Sequence, residues 1–194
     1  PATEASTPII DPSKLLAYEI DPILRKRVIG KDDVDIAALI VRLGNSDWVR
    51  EGRSYLAISD GACPFCQQET TQQLTQSLND YFDEAFIAAS QAINDLTTNY
   101  VTEASRITQQ LVAITESSFR FLDVEKLKVE KDILEAKLAL NKQRLADKKK
   151  QPSQVVELES LSNVFANIGA IIDAGNTQVS AHNSTVENLA NERA

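Results

Sequence analysis

Along this chain the spacing of apolar and polar positions changes character near residue 63. Before that point the apolar residues fall into short helical groups, each soon closed by Gly, Pro, Asn or Asp. Ser13 can cap a helix reaching about Tyr18. Asp21-Pro22 reads as a cap followed by Pro at the first helical position, leading through Ile23, Leu24 and Val28 to Gly30. Asp32 or Asp33 opens the next helix through Ile36, Leu39, Ile40 and Leu43, which Gly44-Asn45 stops. Ser46-Asp47 then caps a shorter one over 48–56. From Phe82 the apolar positions step by four and three through Phe86, Ala89, Ile93, Leu96 and Tyr100. The register continues at Ile107, Ile114 and Phe121, with polar interruptions at Glu103, Gln110 and Ser117. No Gly or Pro lies between Pro64 and Pro152. A helix of about 50 residues, on the order of 75 Å long, is therefore predicted, with Ser117-Ser118 the place for a kink.

Residues 124–150 favour helix but show a looser seam, at Leu127, Leu134, Leu138 and Leu145. Lys148-Lys149-Lys150-Gln151-Pro152-Ser153 breaks it, and Ser153 is available as a cap. The last helix repeats every seven residues: Leu158, Leu161, Phe165, Ile168, Ile172, Gly175, Val179, His182, Val186, Leu189. Two seams joined by a Lys/Pro/Ser turn predict an antiparallel hairpin centred near 148–153. The expected fold is all-α: a cluster of short helices, then long helices forming an antiparallel coiled coil or elongated bundle. The divisions are 1–12 as a flexible lead-in with three prolines, 13–62 as the short-helix cluster, 63–68 as a Cys-bearing corner, and 69–194 as the long-helix region.

Composition narrows the function. Six Gly and six Pro are few for 194 residues, which suits helices better than a sheet rich in tight turns. The net charge of −8 makes the chain a poor surface for phosphate, so broad nucleic-acid binding by this segment is disfavoured. The basic groups Arg25-Lys26-Arg27 and Arg144 with Lys148–Lys150 read as solvated faces or turns. No apolar run reaches the roughly 20 residues of a membrane span, and the N-terminus lacks the pattern of a signal peptide. A cytoplasmic location is the expectation. The chain contains no Met and begins at Pro1, which fits a segment of a longer protein.

Catalytic motifs are missing from the sequence: no GxxxxGK[ST] or GxGxxG, and no HExxH, GxSxG or Cys/His nucleophile pair. No active site is expected. The chemically pointed feature is Cys63-Pro64-Phe65-Cys66, which has three readings. A CxxC ahead of a helix can be a redox pair, although that reading wants alternating strands and helices around it. Two thiolates can form half of a structural zinc site, whose four ligands would then come from two copies of the chain. The cysteines can also be small apolar residues, reduced and idle. His182, on a core-type heptad position, reads as setting register rather than binding metal. Trp48 reads as a packing anchor of the N-terminal cluster.

Asp47-Trp48-Val49-Arg50-Glu51-Gly52, Tyr55, and Cys63-Pro64-Phe65-Cys66-Gln67-Gln68 together resemble the middle region of bacterial ABC/SMC-like ATPases of the AAA family, in the group that includes the anticodon nucleases RloC and PrrC. Trp48, Val49, Gly52, Cys63, Pro64, Phe65, Cys66 and Gln68 match that group's pattern, and Tyr81-Phe82-Asp83 is similar to it. The resemblance spans about residues 35–90. It implies a non-catalytic helical insert between two halves of a nucleotide-binding domain, with ATP handled in parts of the parent outside this chain. It further implies a zinc hook in which Cys63 and Cys66 of two chains share one zinc in a homodimer. Nucleic acid, and tRNA cleavage where present, would belong to the parent. Gln67 departs from the pattern, standing where the group has Gly. Gly tolerates φ > 0 there and Gln does so at a cost.

Overall fold

The computed structural model of the chain describes residues 2–64 and 66–192. Among these the secondary structure is helical, in eight α-helices: α1 Ser13–Glu19, α2 Pro22–Arg25, α3 Ala37–Leu43, α4 Ser46–Leu56, α5 Gln72–Tyr81, α6 Glu84–Glu116, α7 Val124–Lys150 and α8 Ser162–Asn191. The one β-type pairing among them is an isolated antiparallel bridge between Ala62 and Glu69. The all-α expectation holds. The chain divides into two compact units: residues 1–20, 99–143 and 158–194 form one, and residues 21–98 and 144–157 the other.

In the first unit the α6 seam runs Tyr100, Ala104, Ile107, Leu111, Ile114, all buried. The polar interruptions expected at Glu103 and Gln110 are not in this seam. A four-residue step from Tyr100 to Ala104 shifts the register and carries Ala104 and Leu111 into their place, the local effect of a stutter. Glu103 instead pairs with Arg106 on the helix flank, 2.5 Å away. The predicted kink is a full break: α6 ends at Glu116, and α7 restarts with the Asp123 carboxylate accepting from the Lys126 N–H at 3.1 Å. Gly175 of α8 sits against this break. A Cβ there would lie 3.1 Å from the Phe121 carbonyl oxygen. The α8 seam is buried at Phe165, Ile168, Ile172, Gly175 and Val179.

The loose seam of α7 is filled by polar side chains. Asn141 and Lys148 are as buried as Leu134 and Leu145, each at 0% exposure. Buried polar groups need partners, and both find theirs in the backbone of the segment after α7. The chain reverses after Lys150, but residues 155–160 form no helix and run back along α7. Asn141 Oδ1 accepts from the Glu159 N–H (2.7 Å) while its Nδ2 donates to the Glu159 carbonyl and the Tyr100 hydroxyl, each at 2.9 Å. Lys137 Nζ donates to the Ser160 carbonyl at 3.1 Å. The last helix thus begins at Ser162, later than a Ser153 cap would place it. Farther on, Asn167 Nδ2 bonds Glu130 at 3.1 Å, which sets α8 antiparallel to α7.

Residues 2–12 form no helix and lie along α8. Asn176 accepts from the Thr7 N–H at 2.7 Å and donates to the Thr7 carbonyl at 2.9 Å. Asn183 does the same to Glu4, at 2.8 and 2.9 Å.

The second unit is built on an aromatic core. Tyr81, Phe82 and Phe86 meet edge to face with ring centroids 4.8 Å apart, among Val28, Ala37, Ile40, Ala89 and Ile93. Gly30 passes directly over the Tyr81 ring, where a Cβ would come within 2.3 Å of ring carbons. Gly44 closes α3 in the left-handed region (φ +63°), as a C-cap glycine does. Asp21 caps α2 by accepting from the Ile23 N–H at 2.9 Å. Lys148, expected on a solvated face, is buried here: its ammonium donates to the carbonyls of Lys26 (2.6 Å), Pro152 (3.0 Å) and Gln154 (2.5 Å). All three ammonium protons are thereby matched, and burial pulls its pKa below the usual lysine value.

Candidate functional site

The corner at Cys63 lies between α4 and α5, in the second unit. Ser59 Oγ bonds the carbonyls of Leu56 (3.1 Å) and Ala62 (2.5 Å), tying the exit of α4 to the corner. Asp60 and Gly61 both have positive φ, +48° and +79°, and turn the chain. Residues 61 and 70 then face each other: the Thr70 N–H and hydroxyl both donate to the Gly61 carbonyl, at 2.7 and 2.8 Å. Inside that pair, the Cys63 N–H donates to the Gln68 carbonyl at 2.7 Å, and the Gln67 N–H donates to the Cys63 carbonyl at 2.8 Å. The result is a short hairpin whose tip carries the two thiols. Thr71 then accepts from the Leu74 N–H at 3.2 Å and starts α5.

Gln67 adopts φ +60°, the left-handed conformation the sequence assigns to a Gly at this position. An L side chain there costs on the order of 1 kcal/mol. The two backbone bonds between Cys63 and Gln67–Gln68 hold it in place. Pro64 fixes its own φ and has no N–H to satisfy at the tip. Phe65 lies outside the described residues.

Cys63 is partly buried and Cys66 exposed, and no disulfide joins them. The Cys66 thiol points to Gln68 Oε1 at 3.9 Å. Among the described residues no group of three or more His, Cys, Asp or Glu side chains gathers as a metal ion requires. Cys63 and Cys66 lie on the same turn, and among the described residues no third ligand gathers with them. His182 belongs to the first unit, where Nε2 lies 3.0 Å from the Ala2 carbonyl oxygen and the ring tilts against Phe121 at 5.5 Å.

Trp48 is not the buried anchor its spacing predicts. It is 57% exposed, and its ring lines an apolar cavity of about 160 Å³ beside Cys63, together with Val49, Leu56, Pro64, Leu74 and Leu78. The spacing misleads because Trp48, Gly52 and Leu56 do share one helix face, but that face turns to the corner and not to the aromatic core. The sequence reading also missed the clamps at Asn141, Asn176 and Asn183. A signal was present: Asn176 and Asn183 are seven residues apart, on one face of α8.

Fold and site together define an all-α protein carrying a single Cys-x-x-Cys turn, and among the described residues no helix is long and apolar enough to cross a membrane. The chain belongs to the AAA domain family, whose match spans residues 2–194. No curated protein and no solved structure matches it.

Proposed function

We propose that this chain is a helical, non-catalytic segment of an ABC/SMC-like ATPase, in the group that includes RloC and PrrC, and that it joins two protomers through one zinc ion. Cys63 and Cys66 of each chain would supply the four thiolates of a tetrahedral site. The observation that carries this reading is Gln67 at φ +60°, a strained residue that closes the loop between the two thiols. Strain of this kind persists where the surroundings impose it, and here they impose a turn with both sulfurs at its tip. Membership of the AAA domain family supports the ATPase parentage. Because the chain has no phosphate loop, ATP would be bound by other parts of the parent, as would any nucleic acid. A net charge of −8 suits a segment that leaves nucleic acid to others. Such a parent works in the cytoplasm.

Native mass spectrometry with and without a strong chelator tests the clasp. The expected result is one zinc per two chains, with the dimer lost on chelation, and Cys66→Ser weakening both metal uptake and self-association. A metal-free species whose mass ignores the chelator would leave an inert helical scaffold and end the proposal. A reversible Cys63–Cys66 disulfide in place of metal would turn the reading to thiol redox chemistry.

A further inference from the structure

We infer that the apolar cavity beside the thiol turn, with Trp48 at its rim, is the second half of the same interface and receives apolar side chains of a second copy of this chain. The inference rests on the zinc reading and extends it from two sulfurs to a surface. Zinc–sulfur bonds are about 2.3 Å long, so two turns sharing one ion have their tips in contact across a two-fold axis. Whatever borders the turn on one copy then meets the same surface of the other. Two turn tips alone bury too little: specific dimers bury roughly 800 Å² on each partner.

What borders the turn here is apolar and uncovered. Trp48 is 57% exposed and Leu74 37%, and Tyr55, on the same helix as Trp48, is 50% exposed. Trp48 and Leu74 line the cavity of about 160 Å³ with Val49, Leu56, Pro64 and Leu78, and Arg53 and Thr70 complete its wall. An apolar space of about that size accepts a benzene-sized group. A self-complementary contact needs knobs and holes on one surface, and this one has both. Exposed aromatic side chains beside an apolar pocket are what interface centres are made of.

Trp48 is the only Trp in the chain, so the emission of the intact chain reports on the cavity without any substitution. Zinc salt is titrated into metal-free chain at several protein concentrations, following emission wavelength, mass and metal content together. The expected result is a blue shift that saturates at one zinc per two chains, strengthens with chain concentration and disappears in Cys66→Ser. Trp48→Ala should raise the dimer dissociation constant about thirty-fold, the effect of losing one interface hot spot. It should still reach one zinc per two chains at high concentration. A zinc-bound dimer whose emission does not move, and which Trp48→Ala leaves equally tight, overturns the apolar interface and leaves the zinc clasp standing. A dimer with a blue-shifted Trp48 that ignores the chelator keeps the interface and overturns the zinc. A monomer under all conditions overturns both.

Discussion

Replacing Asn183 by Ala removes the two hydrogen bonds that hold Glu4 to α8, its N–H donated to Oδ1 at 2.8 Å and its carbonyl accepting from Nδ2 at 2.9 Å. Asn176 holds Thr7 in the same way. The pairing works because the two geometries share a repeat. Seven helical residues advance about 10.5 Å and three extended residues about 10 Å, so one heptad of α8 presents a side-chain amide to every third residue of the strap. Because the amide reads only backbone, the register is set by spacing and not by the strap's side chains. Each bond contributes about 1 kcal/mol net, and less where water competes. For this part-buried pair the loss in Asn183→Ala should be about 1–2 kcal/mol. Hydrogen exchange measures it directly: the Glu4 amide should exchange about 5–30-fold faster. The Thr7 amide, still clamped by Asn176 and tethered to α1, should stay protected. Asn183→Asp keeps the acceptor but turns a carboxylate toward the Glu4 carbonyl. It should behave like Ala at neutral pH and recover in acid, where a protonated carboxyl donates as well as accepts. Unchanged Glu4 exchange in Asn183→Ala would refute the clamp.

Other substitutions probe the two units separately. Lys148→Met keeps the length of the side chain but removes the buried donor to the carbonyls of Lys26, Pro152 and Gln154, of which Pro152 keeps the Val28 N–H. Urea unfolding should show a loss of about 2–4 kcal/mol, and a neutral result would mean those carbonyls find water. Gly30→Ala drives a methyl into the fully buried Tyr81 ring and should cost about 1–3 kcal/mol in thermal unfolding; equal stability would mean the ring shifts freely. Glu19 has its pKa pushed up to about 7, chiefly by burial, against the opposing Leu161 N–H and Lys137 charge. Its Oε1 is buried without a partner. Between the ordinary carboxyl value of 4.5 and about 7 the folded chain holds a proton that the unfolded chain has released, so Glu19's contribution falls as pH rises through that window. Glu19→Gln should flatten that slope in denaturation series at pH 5 and pH 8, and an unaltered slope would assign it elsewhere. Gln67→Gly relieves about 1 kcal/mol of left-handed strain and should raise stability by up to about that in urea unfolding; a loss would mean the Gln67 side chain itself helps hold the turn.

The long helices were legible because their apolar positions repeat over many turns, and the repeat of α8 from Phe165 to Val179 is buried as read. What the pattern hid was the polar half of the seams. Asn141 and Lys148 occupy core positions of α7, yet an apolar count passes over both. Most of their partners are backbone groups of residues 152–159, and a sequence does not display backbone donors and acceptors at any particular place. The same blindness covered residues 2–12. Pro8 and Pro12 mark that stretch as non-helical, but what anchors it is an Asn pair more than a hundred and sixty residues away in the chain. The α6 stutter is a different failure. Glu103 and Ala104 stand side by side, and only packing decides which of them faces the core.

At the corner, the sequence carries a departure from the motif: Gln67 stands where Gly would tolerate φ > 0. Gln67 adopts φ +60° despite its side chain. The backbone bonds from Cys63 to Gln67 and Gln68 hold that conformation, so the turn that carries Cys63 and Cys66 is fixed by the loop's own hydrogen bonds. Trp48 gives the matching argument from the other side. An anchor of the local core would be covered, and this one stands uncovered over a pocket that Cys63 helps to line. Both departures from the expected pattern fall on the same surface of the second unit. The apolar pocket next to the turn is unfavourable for an isolated chain, and the proposed second copy seated on that surface would cover it.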